Sequence, residues 1–209
     1  MSEEELAQRV ASTDRHDFDA MVELVEALAK AGRSRRQALD EAYGATFPDE
    51  FFAIAKARTR DRAPRGRYSN LPWQLVADAP RHDATFPQGL EDAARSVDPD
   101  LIPLLMIGGI DYVYGGSLLC YRLDELRDGR STLFGFHYKS IPPYSEATKY
   151  GESLIAVLLD HCRDEYGGLE SEIDVPYRRA AGAADASDLE RSHDRLARVE
   201  AIYRSLTRS

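Results

Sequence analysis

Apolar residues in the first third of the chain recur at the spacing of an amphipathic helix. Between Phe18 and Leu28 the apolar positions fall three, one, three and three residues apart, which places one apolar stripe on a helix. Gly32 follows this stripe and is expected to end the helix in the left-handed conformation. The pattern predicts a helix over this segment.

Capping signals indicate further helices around it. Ser2 with Glu5 and Ser34 with Gln37 each match a capping box, in which a hydroxyl and a side chain three residues later satisfy free backbone N–H groups. Gly44 is placed to end the second of these helices. The segment "PDEFFAIAKA" then predicts another helix, because proline suits a first turn.

Proline interrupts the region from residue 58 to residue 99, and from residue 100 the pattern becomes that of strands. In the proline-rich region only "WQLVAD" is strand-like, and a short helix is expected near "GLEDAARSV". The later segments "LIPLLMI", "SLLCYRL" and "STLFGFHYK" are short and apolar, and glycine pairs or Asp128-Gly129 separate them. These features predict antiparallel hairpins.

Two helices are predicted to close the chain. The first contains "SLIAVLLDHC" and is expected to end at Gly167-Gly168. A small-residue linker follows Pro176, and the last helix is expected to open with a capping box of Ser187 and Glu190. Its apolar positions form a heptad-like seam of Leu189, Leu196, Val199, Tyr203 and Leu206. This seam predicts either packing on the same chain or pairing with a second chain.

Together these elements predict an α+β fold. We expect an antiparallel sheet of about four to six strands, flanked by N-terminal helices and a C-terminal helix. The expected segments are an N-terminal helical extension over 1–33, an α+β core over 34–168, and a linker with an amphipathic helix over 169–209.

Composition and charge narrow the class of protein. Apolar residues make up 43% and charged residues 30% of the 209 positions, which is typical of a folded globular protein. A net charge of −9 argues against generic nucleic-acid binding. The acidic start and the lack of a long apolar run predict a cytoplasmic protein without a membrane span. Cys120 and Cys162 are expected to be buried thiols.

The candidate catalytic and ligand-binding motifs favour structural interpretations. The glycine pairs in "GGIDYVYGGSLL" lack the lysine and the following helix of a phosphate-binding loop, so they are interpreted as turns. His161 is spaced to meet Asp164 and Glu165 on a helix, but solvation is the simpler explanation. No nucleophile is paired with a base, so the sequence shows no catalytic constellation and we expect no enzyme. A small-molecule pocket near Asp111 and His137 remains the alternative.

The basic segment "KARTRDRAPRGR", residues 56–67, is the local exception to the acidic composition. It holds six basic residues and one acid, so it carries +5 and leaves −14 for the rest of the chain. It is interpreted either as a solvated loop or as a contact surface that includes Arg62, Arg65 and Arg67. Trp73 lies nearby and is expected to add an aromatic anchor. A nucleic-acid contact through this segment is the weaker alternative.

The segment "DEAYGATFPDEFFAIAKA" resembles the N-terminal signature of the SUKH superfamily, which includes fungal Smi/Knr-type regulators of cell-wall synthesis and bacterial toxin-immunity proteins. The matching positions are Glu41 and Gly44, then Phe47-Pro48, then the acidic-aromatic start Asp49-Glu50-Phe51. The strands and the helix "YGESLIAVLLDHC" resemble the rest of the family pattern, so the resemblance covers residues 34–165.

The resemblance implies an α+β domain that acts by binding a protein, without a cofactor. Such proteins are often inhibitors that bind a toxin, frequently a nuclease. We therefore expect a non-catalytic immunity or regulatory protein whose contact surface surrounds the glycine turns. The expected partner-binding residues are Asp111, Tyr112, Tyr114, Arg62, Arg65, Arg67 and Trp73. A homo-oligomer formed through the last helix remains open.

Overall fold

A computed structural model describes residues 2–58, 67–84, 86–108, 116–138, 142–173 and 186–208. Within these residues the chain forms an α+β fold with N-terminal helices, a five-stranded antiparallel sheet and a C-terminal helix. The predicted fold class and the number of strands are confirmed. The chain consists of two compact units, each made of two segments.

The first unit comprises Met1–Pro48 and Gly66–Glu152. Its first three helices are α1 (Glu3–Ser12), α2 (Phe18–Lys30) and α3 (Arg35–Tyr43). Both predicted capping boxes are present, at Ser2 and at Ser34, and Gly44 ends α3 with a φ of 60°. The helix-start signals are local, which is why the sequence alone could locate them.

The N-terminal helices belong to the same unit as the sheet, and the segment bounds predicted from sequence stay a prediction. Arg33, which follows α2, joins Glu3 at 2.6 Å and Glu41 at 3.1 Å. Its side chain therefore links α1 to α3 across a predicted segment boundary.

The sheet of the first unit is a simple meander of strands in the order β1-β2-β3-β4-β5. The strands are β1 (Arg67–Tyr68), β2 (Leu101–Ile107), β3 (Gly116–Arg122), β4 (Leu133–Tyr138) and β5 (Thr148–Gly151). Helix α5 (Phe86–Val97) packs on one face, where Leu90, Ala93 and Ala94 join a buried cluster with Leu118 and Phe136. The predicted helix near "GLEDAARSV" is thereby confirmed.

The predicted strand at "WQLVAD" is wrong, because Trp73–Val76 forms a 3-10 helix. The backbone N–H of Leu75 donates to the carbonyl of Pro72 at 3.1 Å, and that of Ala77 donates to Gln74 at 3.2 Å. Two apolar residues of this 3-10 helix are buried, Trp73 and Leu75. An alternating pattern over so few residues does not separate a strand from a tight helix.

The segment around Asp128-Gly129 also differs from the predicted two-residue hairpin. Helix α6 (Leu123–Arg127) follows β3 directly, and Leu123 and Leu126 are buried at a helical spacing of three residues. Gly129 has a φ of 75° and ends this helix, while the N–H of Arg130 donates to the carbonyl of Glu125 at 2.8 Å. Positive φ was correctly expected here, but at a helix end.

The second unit comprises Asp49–Arg65 and Ser153–Ser209. It contains α4 (Asp49–Arg58), α7 (Leu154–Ile173) and α8 (Ala186–Thr207). Helix α7 continues through Gly167 and Gly168, which were predicted to end it, and α8 begins at Ala186, before the predicted cap at Ser187. Residues 174–185, which include most of the predicted linker, lie outside the described residues.

Helix α8 packs against α7, as one of the two alternatives for its apolar seam predicts. Val199 is fully buried, and Arg195 pairs with Glu165 of α7 at 2.6 Å. Tyr203, near the end of the seam, is 38% exposed. Pairing of α8 with a second chain stays a prediction. Among the described helices, none is both long enough and apolar enough to cross a membrane.

Candidate protein interface

The strand register brings four chain positions to one end of the sheet, which we call the Tyr138 end. Arg67 of β1 lies opposite Met106 of β2, near the point where β2 ends. Gly116, the first residue of β3, lies opposite Tyr138, the last residue of β4. Ile107, the last residue of β2, and Gly116 therefore lie at the same end of the sheet as Arg67 and Tyr138.

Two tyrosines stack on each other at this end. The rings of Tyr138 and Tyr144 are nearly parallel, with an interplanar angle of 13° and centroids 5.9 Å apart. Tyr144 also contacts the buried ring of Phe136, with centroids 5.8 Å apart. Both tyrosines are half-buried. They therefore rest on the core and still present part of their surface to solvent.

Helix α5 packs against the tyrosine pair. A Cβ added to Gly89 would lie 3.2 Å from the Tyr138 hydroxyl, so this hydroxyl lies close to the helix backbone. Burial raises the pKa of Tyr138, and the nearby Tyr144 acts in the same direction, while Arg67 acts against both. Arg67 is thus close enough to Tyr138 to interact with it electrostatically.

Two glycines of the β2–β3 connection, Gly108 and Gly116, lie within the described residues, and both occupy positions that favour glycine. Gly108 has a φ of 69°, a conformation that favours glycine. A Cβ at Gly116 would lie 2.6 Å from the carbonyl oxygen of Ile107, so no other residue fits without displacing that strand. Five of the predicted contact residues, Asp111, Tyr112, Tyr114, Arg62 and Arg65, lie outside the described residues.

Trp73 does not provide the exposed aromatic anchor that was expected. Its side chain is 3% exposed, and its indole N–H donates to the carbonyl of Leu104 at 2.7 Å. Its ring meets Tyr68 edge to face at 5.3 Å. Since an indole must satisfy its single donor when buried, this tryptophan fixes β1 and the 3-10 helix to β2. Of the predicted residues, Arg67 is the one that the described structure places at this surface.

Tyr138 and Tyr144 were not among the residues predicted from sequence. In a strand, Phe136 and Tyr138 lie on one face and His137 on the other. The structure has this arrangement, since Phe136 is buried and His137 is exposed. The contact of Tyr138 with Tyr144 joins a strand to a segment that follows two prolines. Aromatic enrichment beside "PPY" is the signal in the sequence that could have identified the pair.

The other groups with potential chemistry have structural surroundings. Cys120 and Cys162 are free and buried, as predicted. Burial raises the pKa of Cys162 to about 11 and that of Cys120 still further, so both are poor nucleophiles near neutral pH. Within the described ranges, no three histidine, cysteine or carboxylate side chains are grouped as metal ligands would be.

Comparison of the chain with family models, curated proteins and solved structures gives no match. The SUKH resemblance therefore stays a prediction.

Proposed function

We propose that this protein is a non-catalytic protein-binding domain, an immunity or regulatory factor that binds and neutralises a partner toxin. The Tyr138 end of the sheet is its contact surface. The SUKH resemblance supplies the class of function, and the half-exposed pair of Tyr138 and Tyr144 beside Arg67 supplies the surface.

The stacked tyrosines are the observation that carries this proposal. Tyrosine and arginine are enriched among the residues that dominate binding energy at protein interfaces. Because Tyr138 rests on Gly89 and Tyr144 rests on Phe136, little side-chain freedom remains to be lost on binding. The rigid backing of these rings favours recognition of a protein surface.

Charge favours a basic partner. The chain carries a net charge of −9, and opposite net charges accelerate association of two proteins. A basic toxin such as a nuclease would be attracted by the acidic chain as a whole. Arg67 would then orient the complex by donating hydrogen bonds to an acidic or carbonyl group of that partner.

The experiment measures binding of the purified full-length chain to each product of the genes that flank its own. Isothermal titration calorimetry gives the affinity and stoichiometry for any product that binds. The double variant Tyr138→Ala with Tyr144→Ala is expected to weaken the complex by about 30-fold or more, which is the range of an interface hot spot. Arg67→Ala should weaken it less, because a peripheral charge contributes mainly to association.

Tyr203→Ala is the matched control, because Tyr203 is an exposed tyrosine on α8 of the second unit. It should leave the affinity unchanged. Equal affinity of the wild type and the double tyrosine variant would refute the proposed surface. Failure of every flanking product to bind would refute the proposed function.

Neutralisation is tested separately in cells. Expression of a flanking toxin should arrest growth, and co-expression of this chain should restore it. The double tyrosine variant should restore growth poorly at the same protein level, whereas Tyr203→Ala should restore it fully. Growth arrest that the wild-type chain does not relieve would contradict the role in immunity.

A further inference from the structure

A small cavity with both polar and apolar lining residues lies in the first unit, apart from the Tyr138 end of the sheet. It is bounded by the connection between α1 and α2, the end of α3, the middle of α5 and the start of β2. Its volume is about 20 Å³. The polar residues of its lining are Arg15, His16, Tyr43, Glu91, Arg95 and Asp100.

Tyr43 brings a buried hydroxyl to this cavity. The residue is 4% exposed, and its ring contacts Phe47 with centroids 5.2 Å apart. The hydroxyl interacts electrostatically with Glu91 and Arg15. Buried tyrosine hydroxyls nearly always have a hydrogen-bonding partner, so this group calls for one.

Glu91 brings a buried carboxylate to the same cavity. The residue is 8% exposed, and its Oε1 accepts hydrogen bonds from the backbone N–H groups of Asn70 at 2.7 Å and Leu71 at 2.9 Å. A carboxylate can accept about four hydrogen bonds. Its remaining acceptor sites can therefore receive a donor from the cavity.

The charges around the cavity balance. Arg15 and Arg95 contribute two positive charges, and Glu91 and Asp100 contribute two negative charges. Arg15 lies 3.7 Å from Asp100, and Arg95 donates to the backbone carbonyl of His16 at 3.2 Å. The four charged lining residues therefore sum to no net charge.

We propose that this cavity binds one internal water molecule that joins the Tyr43 hydroxyl to the Glu91 carboxylate. A buried water needs roughly 10–15 Å³ and two to four polar partners, and the cavity meets both conditions. The water donates a hydrogen bond to the Glu91 carboxylate and forms a second hydrogen bond with the Tyr43 hydroxyl. It thereby satisfies two buried groups that come from α3 and α5.

Water-oxygen magnetic relaxation dispersion on the full-length chain tests this proposal, because it counts water molecules that stay bound for longer than nanoseconds. Tyr43→Phe removes one polar partner without enlarging the side chain, and it should reduce the count by one. Tyr203→Phe, a matched change at an exposed site, should leave the count unchanged. An equal count for the wild type and Tyr43→Phe would overturn the proposal.

Two further measurements separate loss of the water from loss of the fold. Trp73 fluorescence reports whether Tyr43→Phe keeps the native core. If that variant unfolds, a high-resolution crystal structure of the wild type decides the question without it. Electron density for one water within hydrogen-bonding distance of both Tyr43 and Glu91 would support the site, and a cavity without such density would overturn it.

Discussion

The carboxylate of Glu50 caps helix α7, which begins more than a hundred residues later in the chain. Its Oε1 accepts a hydrogen bond of 2.8 Å from the backbone N–H of Leu154, and its Oε2 accepts one of 3.2 Å from Ile155. The Ser153 hydroxyl donates to the same carboxylate at 2.5 Å. An acidic group at a helix N-terminus satisfies free N–H groups and complements the helix dipole. Glu50 therefore connects α4 to α7.

Glu50→Ala is expected to lower the free energy of unfolding by about 1–3 kcal/mol, because it leaves the Leu154 and Ile155 donors unpaired. Glu50→Gln keeps one amide oxygen as an acceptor and should cost less. Urea unfolding followed by circular dichroism measures both. Glu26→Ala is the control, since Glu26 is an exposed carboxylate on α2. A similar loss for Glu26→Ala and Glu50→Ala would contradict the capping role.

Gly116→Ala should destabilise the protein by about 1–3 kcal/mol, because its Cβ would lie 2.6 Å from the Ile107 carbonyl oxygen and 2.8 Å from that of Gly108. Gly168→Ala makes the same chemical change inside α7, where a Cβ meets nothing within 4 Å. It should stabilise the protein by about 0.5–1 kcal/mol, since alanine is the better helix former. Thermal unfolding of the two variants should shift in opposite directions. Shifts of the same sign would show that the strand contact at Gly116 is absent.

Trp73 is the sole tryptophan of the sequence, so fluorescence reports on its environment alone. Its burial predicts blue-shifted emission that moves to longer wavelength on unfolding. Trp73→Phe should lower stability by about 1–3 kcal/mol, because it removes the bond to Leu104 and leaves a cavity. Native emission at the wavelength of the unfolded chain would contradict this burial.

The pH dependence of stability should contain a contribution from Glu91. Burial raises the pKa of this carboxyl in the folded state, against the opposing effect of its hydrogen bonds. The folded protein therefore binds the proton more tightly than the unfolded chain does. The stabilising contribution is complete below the unfolded-state pKa, near the ordinary value of 4.5, and is lost as the pH rises through the folded-state pKa.

Glu91→Gln cannot ionise, so it should remove this loss and flatten the stability profile above pH 4.5. Urea unfolding at a series of pH values measures the effect. Asp92→Asn is the control, because Asp92 is the exposed carboxylate next to Glu91 on α5. A profile for Glu91→Gln that parallels the wild type would show that Glu91 does not titrate differently in the two states.

Local rules were sufficient at positions where neighbouring residues decide the conformation. The caps at Ser2 and Ser34 and the left-handed end of α3 at Gly44 depend on groups within a few residues, and all were predicted. Positive φ at Gly129 follows the same logic. The error there concerned the element before it, because Leu123 was assigned to the preceding strand although it begins a short helix with Leu126.

The candidate site could be predicted only in part, because some of its contacts join residues that are not neighbours in the sequence. The run of basic residues was enough to select Arg67 from the sequence. The stacking of Tyr138 on Tyr144 depends instead on how the segment after β4 packs against that strand. The expected role of Trp73 was reversed, because an aromatic residue beside a basic segment fits an interface as well as a core. Trp73 belongs to the core because its indole N–H donates to the carbonyl of Leu104 in β2.

The sequence by itself determined the α+β class, the capped N-terminal helices, the positive φ at Gly44 and the two buried thiols. Each of these depends on short-range backbone preference or on the burial of apolar side chains. The tertiary structure alone decided that Glu50 caps α7, that Trp73 is buried and that Tyr43 and Glu91 share a cavity. These relationships join residues that are far apart in the chain, and hydrogen bonding between distant buried groups leaves no periodic signal in a sequence.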